Sequence, residues 1–389
     1  MDRKYQAELE GLAQSDMLRS LKTTRAEGTY IYMDGRRMLN LSSNDYLGIA
    51  TRGDLAQEVE AELHRLGGAG STSSRLMTGN YEEYQRLEDL LAERFAREAA
   101  LVFGSGYHMN VGIVPALADS STIILADRLV HASMIDGIRL SGCRFERFRH
   151  NDLAHLERLL NKYTGAERII VMVESVYSMD GDCADLKGLV ALKERYPSVM
   201  LYVDEAHAIG VFGDTGLGLA EATGTIQQID LLLGTFGKAL AGMGGYLICS
   251  DVVKRYLVNR CRSLIFSTAL PPLTIAYDRL AFEALPRYTA ERQRLKASSE
   301  HLRQRLGEWS LQTPSQTHII PIVIGGAQQT VQLAERLQAL GYYALAVRPP
   351  TVPEGSCRLR LSLTAEIDLA DFERDFAPLV AELVATQHQ

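Results

Sequence analysis

Residues 230–250, "DLLLGTFGKALAGMGGYLICS", decide the fold class because two apolar runs flank a single lysine. The runs 231–233 and 245–249 are typical of buried β-strands. Lysine loses the hydration of its ammonium group between buried strands, so Lys238 needs a chemical reason to be there. The structural alternative is a surface lysine whose stem covers apolar side chains at a strand end.

Apolar runs of the same kind recur through the middle of the chain. They read "ALVFGSG", "STIILAD", "RIIVMVES" and "VMLYVDEAH". Between several of them lie segments with helical periodicity, such as residues 153–162 and 186–196. Apolar strands that alternate with helices predict an α/β fold with a mostly parallel sheet covered on both faces.

Length and element order predict three regions: an N-terminal arm (1–44), a large α/β domain (45–285) and a small C-terminal α+β domain (286–389). With 389 residues, 46% of them hydrophobic, the chain can build one large core and a smaller one. In the arm, "TYIYMDGRRMLNL" alternates around Asp34-Gly35, which predicts a hairpin. The C-terminal region reads as β-α-β-β-α, from "HIIPIVI" through a helix at 328–340, "YYALAV" and "CRLRLSL" to a last helix.

Charge and cysteine content exclude several classes of protein. The net charge is −7 and basic residues are scattered, which argues against nucleic acid or an anionic membrane as a partner. The five cysteines lie far apart without a C-x-x-C pair, so we expect neither a disulfide framework nor a zinc site. The charged N-terminus has no apolar signal region, and no apolar run reaches membrane-spanning length. We expect a cytoplasmic protein without metal.

Polar residues follow the predicted strands at the points where they end. They are Ser105, Gly106, Tyr107, Asp127, His131, Glu174, Ser178, Asp180, Asp204, His207, Thr235 and Lys238. Ligands of α/β proteins bind at the carboxyl ends of the sheet strands. Because five strands contribute to the set, the pattern predicts a single site.

Several members of this set also have structural interpretations. The turn 104–106 into a helix is often turn geometry alone. His131 fits a helix cap or a buried core histidine, and His207 fits a neutral hydrogen-bond partner of Asp204. The glycine-rich residues 210–218 fit an ordinary loop. His150 and His155 fit surface or helix-start positions.

The chemistry of the set points to one cofactor. A desolvated lysine is nucleophilic toward an aldehyde, and a buried aspartate can keep a pyridine nitrogen protonated. A helix N-terminus with hydroxyl side chains can bind a phosphate, and an imidazole can stack on an aromatic ring. Pyridoxal 5′-phosphate needs all of these contacts, so the set predicts this cofactor. Lys238 would then lie between the strands in order to react with the cofactor aldehyde.

The chain resembles the α-oxoamine synthases, which are fold-type I pyridoxal phosphate-dependent transferases. The resemblance rests on "SNDYLG", "GSTSSRLMTGN", "HASMIDG", "ESVYSMDGD", "DEAHAIGVFG", "TFGKA" and "RLRLSLTA". These motifs occur in the family's order and cover residues from about 39 to 365. The resemblance implies four roles at the cofactor ring: Lys238 binds the aldehyde covalently, Asp204 pairs with the pyridine nitrogen, His207 bonds the 3′-oxygen, and His131 stacks on the ring.

The resemblance also implies which residues hold the phosphate. The amides of Gly106 and Tyr107 and the hydroxyl of Thr235 are expected to bind it, and Thr268 is expected to reach it from a partner subunit. Ser178 is expected beside the ring. Tyr107 occupies a position where many relatives have another aromatic residue. Because Thr268 is expected to reach the phosphate from a partner subunit, a homodimer is expected.

Substrate residues follow from the same resemblance. Asn44 and Arg360 are expected to bind the carboxylate of an amino acid, Arg19 the acyl chain, and Arg75 a distal carboxylate. The implied reaction joins an amino acid to an acyl thioester, on coenzyme A or an acyl carrier protein, with loss of CO2. The motifs favour L-alanine with a pimeloyl group, as in biotin biosynthesis. Glycine with a short acyl-CoA, serine with a long one, and a non-catalytic cofactor-binding protein are the alternatives.

Overall fold

The computed structural model describes residues 2–66 and 69–387. The helices are α1 (Asp2–Gln14), α2 (Ala56–Leu66), α3 (Glu82–Arg94), α4 (Gly106–Leu117), α5 (Ala132–Ser141), α6 (Leu153–Lys162), α7 (Leu186–Arg195), α8 (Leu219–Thr223), α9 (Asp251–Arg260), α10 (Arg262–Ile265), α11 (Pro272–Ala284), α12 (Thr289–Glu308), α13 (Ala327–Ala339) and α14 (Ala370–Gln387). The strands are β1 (Thr24–Glu27), β2 (Tyr30–Met33), β3 (Arg36–Asn40), β4 (Ala99–Phe103), β5 (Thr122–Asp127), β6 (Arg144–Phe148), β7 (Arg168–Glu174), β8 (Val199–Asp204), β9 (Leu231–Thr235), β10 (Gly245–Cys249), β11 (Ile319–Gly325), β12 (Tyr342–Tyr343), β13 (Leu345–Val347) and β14 (Cys357–Ser362).

The chain divides into two compact units. Unit 1 comprises Met1–Arg52, Met179–Asp182 and Ala290–Gln389, and unit 2 comprises Gly53–Ser178 and Cys183–Thr289. Unit 1 therefore combines N-terminal and C-terminal sequence. The region boundaries 1–44, 45–285 and 286–389 stay a prediction, and their outer limits, Met1 and Gln389, lie outside the described residues.

Unit 2 contains a seven-stranded sheet in the order β4-β10-β9-β8-β7-β5-β6. The pairs β5–β6, β5–β7, β7–β8 and β8–β9 are parallel, whereas β10 runs antiparallel to both β4 and β9. The α/β fold class with a mostly parallel sheet is confirmed. All residues of β4, β5, β9 and β10 are buried, as expected for strands covered on both faces.

One face of this sheet packs against α4, α5, α9 and α10. Alternate residues of each strand enter this core because strand side chains alternate between faces. They include Leu101 and Phe103 of β4, Ile170 and Met172 of β7, and Leu231 and Leu233 of β9. The packing holds β4, β7, β8 and β9 in register, so that their carboxyl ends form one rim of the sheet.

Unit 1 contains two small sheets. In the first, β2 and β3 form the predicted hairpin around Asp34-Gly35, whose φ angles of 51° and 76° suit a two-residue turn of the type favoured in hairpins. This sheet also includes β1 and the parallel strand β12, and the second sheet has the order β11-β14-β13. The β-α-β-β-α order is confirmed except that "YYALAV" supplies two strands, β12 and β13, to different sheets.

Membrane-spanning helices and clusters of metal ligands are both absent from the described residues. No helix in the part of the chain that the structure describes is long and apolar enough to cross a membrane. Within residues 2–66 and 69–387, no group of three or more histidine, cysteine, aspartate or glutamate side chains could hold a metal ion.

The close contact between α4 and α5 yields a first prediction, Gly137→Ala. A Cβ on Gly137 would lie 2.4 Å from the Asn110 carbonyl oxygen and 3.3 Å from the Val114 Cβ. Because a backbone carbonyl cannot move away cheaply, we expect Gly137→Ala to reduce the free energy of unfolding by about 1–3 kcal/mol. Urea denaturation measures this loss.

Gly165→Ala is the matched control, because a Cβ on Gly165 meets no atom within 4 Å. We expect Gly165→Ala to change the free energy of unfolding by less than about 0.5 kcal/mol. Equal stability of the two variants would show that α4 and α5 can separate without cost.

Candidate active site

A cavity of about 240 Å3 lies at the rim formed by the carboxyl ends of the strands in unit 2. Its walls include the predicted residues Gly106, His131, Asp204, His207, Thr235 and Lys238. Asp204 ends β8 and Thr235 ends β9, while Gly106 begins α4 directly after the β4 turn. With Tyr107 and Glu174, which also line it, the pocket brings together eight of the twelve predicted residues.

Lys238 lies three residues after β9, in a turn that returns the chain to β10. The Ala241 amide donates to the Lys238 carbonyl at 2.8 Å, and the Gly242 amide donates to the Phe236 carbonyl at 2.8 Å. The half-buried Lys238 places its Nζ 3.0 Å from the His207 Nε2. This amine therefore points into the pocket rather than toward solvent.

Asp204 is 6% exposed and accepts two hydrogen bonds that keep its carboxylate in place. The Asn110 side-chain amide donates to its Oδ2 at 3.1 Å, and the Ala206 amide donates to its Oδ1 at 2.9 Å. Asn110 is itself held, because Tyr202 donates to its Oδ1 at 2.5 Å. A buried carboxylate held in this way is suited to pair with a cationic ring nitrogen.

His131 is the N-cap of α5, so the helix-cap interpretation describes its local geometry. The Ser133 amide donates to the His131 Nδ1 at 3.2 Å. Desolvation lowers the pKa of His131 below its ordinary value, and the positive charge of Lys238 lowers it further against the opposing charge of Asp204. The ring is therefore neutral near pH 7 and has a flat face to offer to an aromatic ligand.

Two further buried carboxyl groups flank Asp204. Glu174 lies opposite Asp204 in the register of the parallel strands β7 and β8. Burial together with the charge of Asp204 raises the pKa of Glu174 to about 8. Burial raises the pKa of Glu205 to about 7, although Glu205 accepts bonds from the Leu219 and Ala220 amides at 2.8 and 2.7 Å. Asp204 accepts two hydrogen bonds and lines the same pocket as Lys238, whereas Glu205 is not in the pocket wall.

The start of α4 forms an anion-binding corner of the pocket. Ser105 caps the helix by accepting from the His108 amide at 3.1 Å, and the amides of Gly106 and Tyr107 have no carbonyl within the helix to bond. A Cβ on Gly245 would lie 3.1 Å from the Gly106 nitrogen, which is a tight contact, so glycine at this position lets β10 pass close to the corner. Such a helix terminus is suited to a phosphate.

Residues 36–374 match the family described as Aminotransferase class I and II. The chain belongs to this family. It is 54% identical over 382 residues, 97% of this chain and 99% of the other, to a Pasteurella multocida protein provisionally named 8-amino-7-oxononanoate synthase. A Haemophilus influenzae protein with the same provisional name is 51% identical, with 96% and 98% of the two chains covered. Within this family the protein is an acyltransferase of the α-oxoamine synthase type, as the motifs predicted.

A solved serine palmitoyltransferase from S. paucimobilis, with a bound PLP–myriocin adduct, has a similar fold. The TM-score is 0.91 at 27% sequence identity, and 98% of each chain is covered. The prediction of a fold-type I transferase is confirmed by this likeness together with the family match.

The cofactor of this aminotransferase family is pyridoxal 5′-phosphate, which confirms the cofactor prediction. The pocket of this chain fits the cofactor on its own evidence. An amine, a buried carboxylate and two imidazoles line one cavity, which ends at a helix N-terminus with the Thr235 hydroxyl beside it. These groups match the aldehyde, the pyridine nitrogen, the ring and the phosphate.

Of the other predicted phosphate and ring residues, Thr235 lines the pocket, whereas Ser178 and Thr268 do not. Thr235 is 8% exposed and donates to the Gly244 carbonyl at 2.8 Å, while its Oγ1 accepts from the Gly237 amide at 3.2 Å. Ser178 and Thr268 are not among the residues that line the cavity. Thr268 is exposed and pairs with Ser74 in an isolated bridge. Their roles stay predictions.

Asn44 and Arg360 belong to unit 1, where they contact each other. Arg360 is 8% exposed; its Nη1 donates to the Ser362 hydroxyl at 2.5 Å and to the Asn44 Oδ1 at 3.5 Å. The neighbouring Arg358 forms an ion pair with Asp180. Binding of a substrate carboxylate by Asn44 and Arg360 stays a prediction.

Arg19 and Arg75 have protein partners. Arg19, in unit 1, is exposed and donates to the Pro349 carbonyl at 2.9 Å. Arg75, in unit 2, bonds Glu88 at 2.7 Å, the Val102 carbonyl at 3.0 Å and the Asn80 side chain at 2.7 Å. To bind a distal carboxylate, as predicted, Arg75 would have to exchange these partners.

Asn110 is the clearest pocket residue that the sequence analysis missed. It lies four residues after Gly106 in α4, so both residues face the same side of the helix. A buried polar residue on an otherwise apolar helix was the available signal. His150 is half-buried, and its Nδ1 lies 2.9 Å from the fully buried Asp127 carboxylate. His155, in the first turn of α6, occupies the predicted helix-start position.

Proposed function

We propose that the chain is an 8-amino-7-oxononanoate synthase of biotin biosynthesis. It condenses L-alanine with a pimeloyl thioester and releases CO2 and the free thiol. The observation that carries the proposal is the 54% identity, over nearly the full length of both chains, to a relative with that provisional name. The motif "LNLSSNDYLG" and the run "GSTSSRLMTGNYEEYQRLEDLLAERF" favour the same assignment.

The pocket residues divide the chemistry between them. When bound, pyridoxal phosphate supplies an electron sink for the negative charge that develops at the substrate Cα. Lys238 would hold its aldehyde, and the Lys238 Nζ would be the base that takes the Cα proton. Asp204 holds the proton on the pyridine nitrogen. His207 would donate to the 3′-oxygen, and the His131 ring would stack on the pyridine.

The phosphate and the substrates are assigned to separate groups. The Gly106 and Tyr107 amides and Thr235 hold the phosphate, and Thr268 from the partner subunit of a homodimer completes its binding. Ser178 lies beside the ring. Asn44 and Arg360 bind the alanine carboxylate, for which the fork of a guanidinium group is suited. Arg19 contacts the acyl chain.

The carrier of the pimeloyl group is either coenzyme A or an acyl carrier protein. Arg75 would hold the distal carboxylate of either diacid, pimeloyl or succinyl, so it does not separate them. Discrimination between alanine and glycine rests on one methyl group, which a fitted pocket can use for only about 1–3 kcal/mol. Some reaction with glycine is therefore expected.

A matrix of thiol release tests the substrates. Alanine, glycine and serine are each combined with pimeloyl, succinyl and palmitoyl thioesters on coenzyme A, with pimeloyl-acyl carrier protein as a further donor. We expect alanine with a pimeloyl thioester to be fastest, with kcat/KM about 10-fold or more above glycine with the same donor.

The matrix includes its own control, because the thioesters also hydrolyse without any amino acid. Release from pimeloyl-CoA in the absence of amino acid must stay at the level of protein-free buffer. Comparable or faster release with glycine and succinyl-CoA would replace the proposed substrates, while the cofactor and the family would stand.

A further inference from the structure

The turn that carries Lys238 is tied to α11 by one buried carboxyl group, Asp278. Asp278 is completely buried, and its Oδ1 accepts from the Met243 amide at 3.1 Å. Among the described residues, its Oδ2 has no hydrogen-bond partner. A buried carboxyl group that makes a single hydrogen bond costs stability, so its presence here needs another reason.

The local backbone indicates what this carboxyl group holds. The turn from Phe236 to Gly244 is irregular: Ala241 has a left-handed φ of 52° and Gly244 a φ of 117°. Hydrogen bonds within the turn close it around Lys238, but the Met243 amide faces outward to Asp278. Fixing this amide fixes the end of the turn that follows Lys238.

Gly242 makes this contact possible. A Cβ on Gly242 would lie 2.0 Å from the Asp278 Oδ1, so the turn and the carboxyl group approach each other as closely as a glycine allows. Burial raises the pKa of Asp278 well above its ordinary value, with only the Met243 amide opposing the rise.

We propose that Asp278 is a positioning residue for Lys238: through the Met243 amide and residues 239–243 it sets the position from which the Lys238 Nζ reaches the cofactor aldehyde. The inference rests on Lys238 as the residue that binds the cofactor and is independent of the acyl substrate. It gives Asp278 a functional reason for a placement that packing alone would not favour.

The test compares two substitutions of similar shape. Asp278→Asn keeps an acceptor oxygen for the Met243 amide, whereas Asp278→Leu removes it and fills the site with an apolar group. The measurement is the rate at which apoprotein and added pyridoxal phosphate form the covalent bond, followed by visible absorbance. We expect Asp278→Leu to be slower by about 10-fold or more and Asp278→Asn to stay within about 3-fold of the wild type.

Urea denaturation separates positioning from packing. Replacement of a buried, poorly satisfied carboxyl group by an apolar one of similar shape is often neutral or stabilising, so Asp278→Leu should unfold at no lower urea concentration than the wild type. Slower attachment in a protein of unchanged stability is the signature of positioning. Attachment by Asp278→Leu within about 3-fold of the wild type would overturn the proposal.

Gly242→Ala tests the same contact from the other side. Its Cβ would displace the Asp278 carboxyl group, so attachment should again be about 10-fold slower, while Gly165→Ala should attach normally. If Asp278→Leu does not fold, Gly242→Ala decides alone, and normal attachment by it would overturn the proposal. Lys238→Ala, which cannot form the bond, separates failure of this proposal from failure of the Lys238 assignment.

Discussion

Lys238→Ala is expected to lose turnover by about 10³-fold or more while it still binds the cofactor without a covalent bond. The loss is large because one amine has two tasks. In the proposed mechanism Lys238 holds the aldehyde, and its Nζ is the base that removes the Cα proton. The phosphate corner at α4 and the Asp204 carboxylate do not depend on Lys238, so cofactor affinity should fall far less than turnover.

Two measurements check this expectation. Borohydride treatment of the wild-type protein followed by peptide mapping should place the label on Lys238, and thiol release should be lost in Lys238→Ala. The matched control is Lys187→Ala, because Lys187 is an exposed lysine in α7. A label on any lysine other than Lys238 would make the site assignment wrong.

Much of the α/β architecture could be predicted because its signals are local. The buried strands β4, β5, β7, β8, β9 and β10 each coincide with an apolar run, and the predicted helix 153–162 is α6. A strand buried on both faces must be apolar at nearly every position. Such strands can be recognised one at a time, without knowledge of their neighbours.

Other features depend on partners that a sequence does not identify. Strand β6 lies at the edge of the sheet and has mostly exposed residues, several of them charged. Because it lacks an apolar run, it could not be recognised as a strand from the sequence. The antiparallel direction of β10 leaves no trace in its apolar residues. The division of "YYALAV" between two sheets follows from separate pairing of β12 with β3 and of β13 with β14.

The residues of the candidate site also divide into those with a local sequence signal and those that depend on tertiary contacts. Lys238 and Asp204 could be predicted because a charged residue beside a buried strand is costly and so indicates a function. The roles of Asn110 and Asp278 depend on contacts with residues that are distant in the chain, at separations of 94 and 35 positions respectively. Hydrogen bonds of this kind depend on tertiary structure, and no local pattern of polar and apolar residues specifies them.

Asp204→Asn is expected to lower the rate of alanine Cα proton removal more than 10-fold, a loss above about 1.4 kcal/mol in transition-state stabilisation. The substitution keeps the shape but removes the charge that, in the proposed mechanism, holds the pyridine nitrogen protonated. It also presents an NH2 group to one of the two donors, the Asn110 side chain or the Ala206 amide. Exchange of the alanine Cα hydrogen in D2O, followed by NMR, measures this step without any acyl donor.

Two variants control this result. Asp89→Asn alters an exposed aspartate of α3 and should leave the exchange unchanged. The second control is the double variant Asp204→Asn/Glu174→Gln, because the charge of Asp204 helps to raise the pKa of Glu174 to about 8. Without that charge Glu174 ionises at lower pH, so any residual exchange in Asp204→Asn should rise with pH and disappear in the double variant. Exchange by Asp204→Asn above a tenth of the wild-type rate, unchanged in the double variant, would show that neither carboxylate supplies the charge opposite the ring nitrogen.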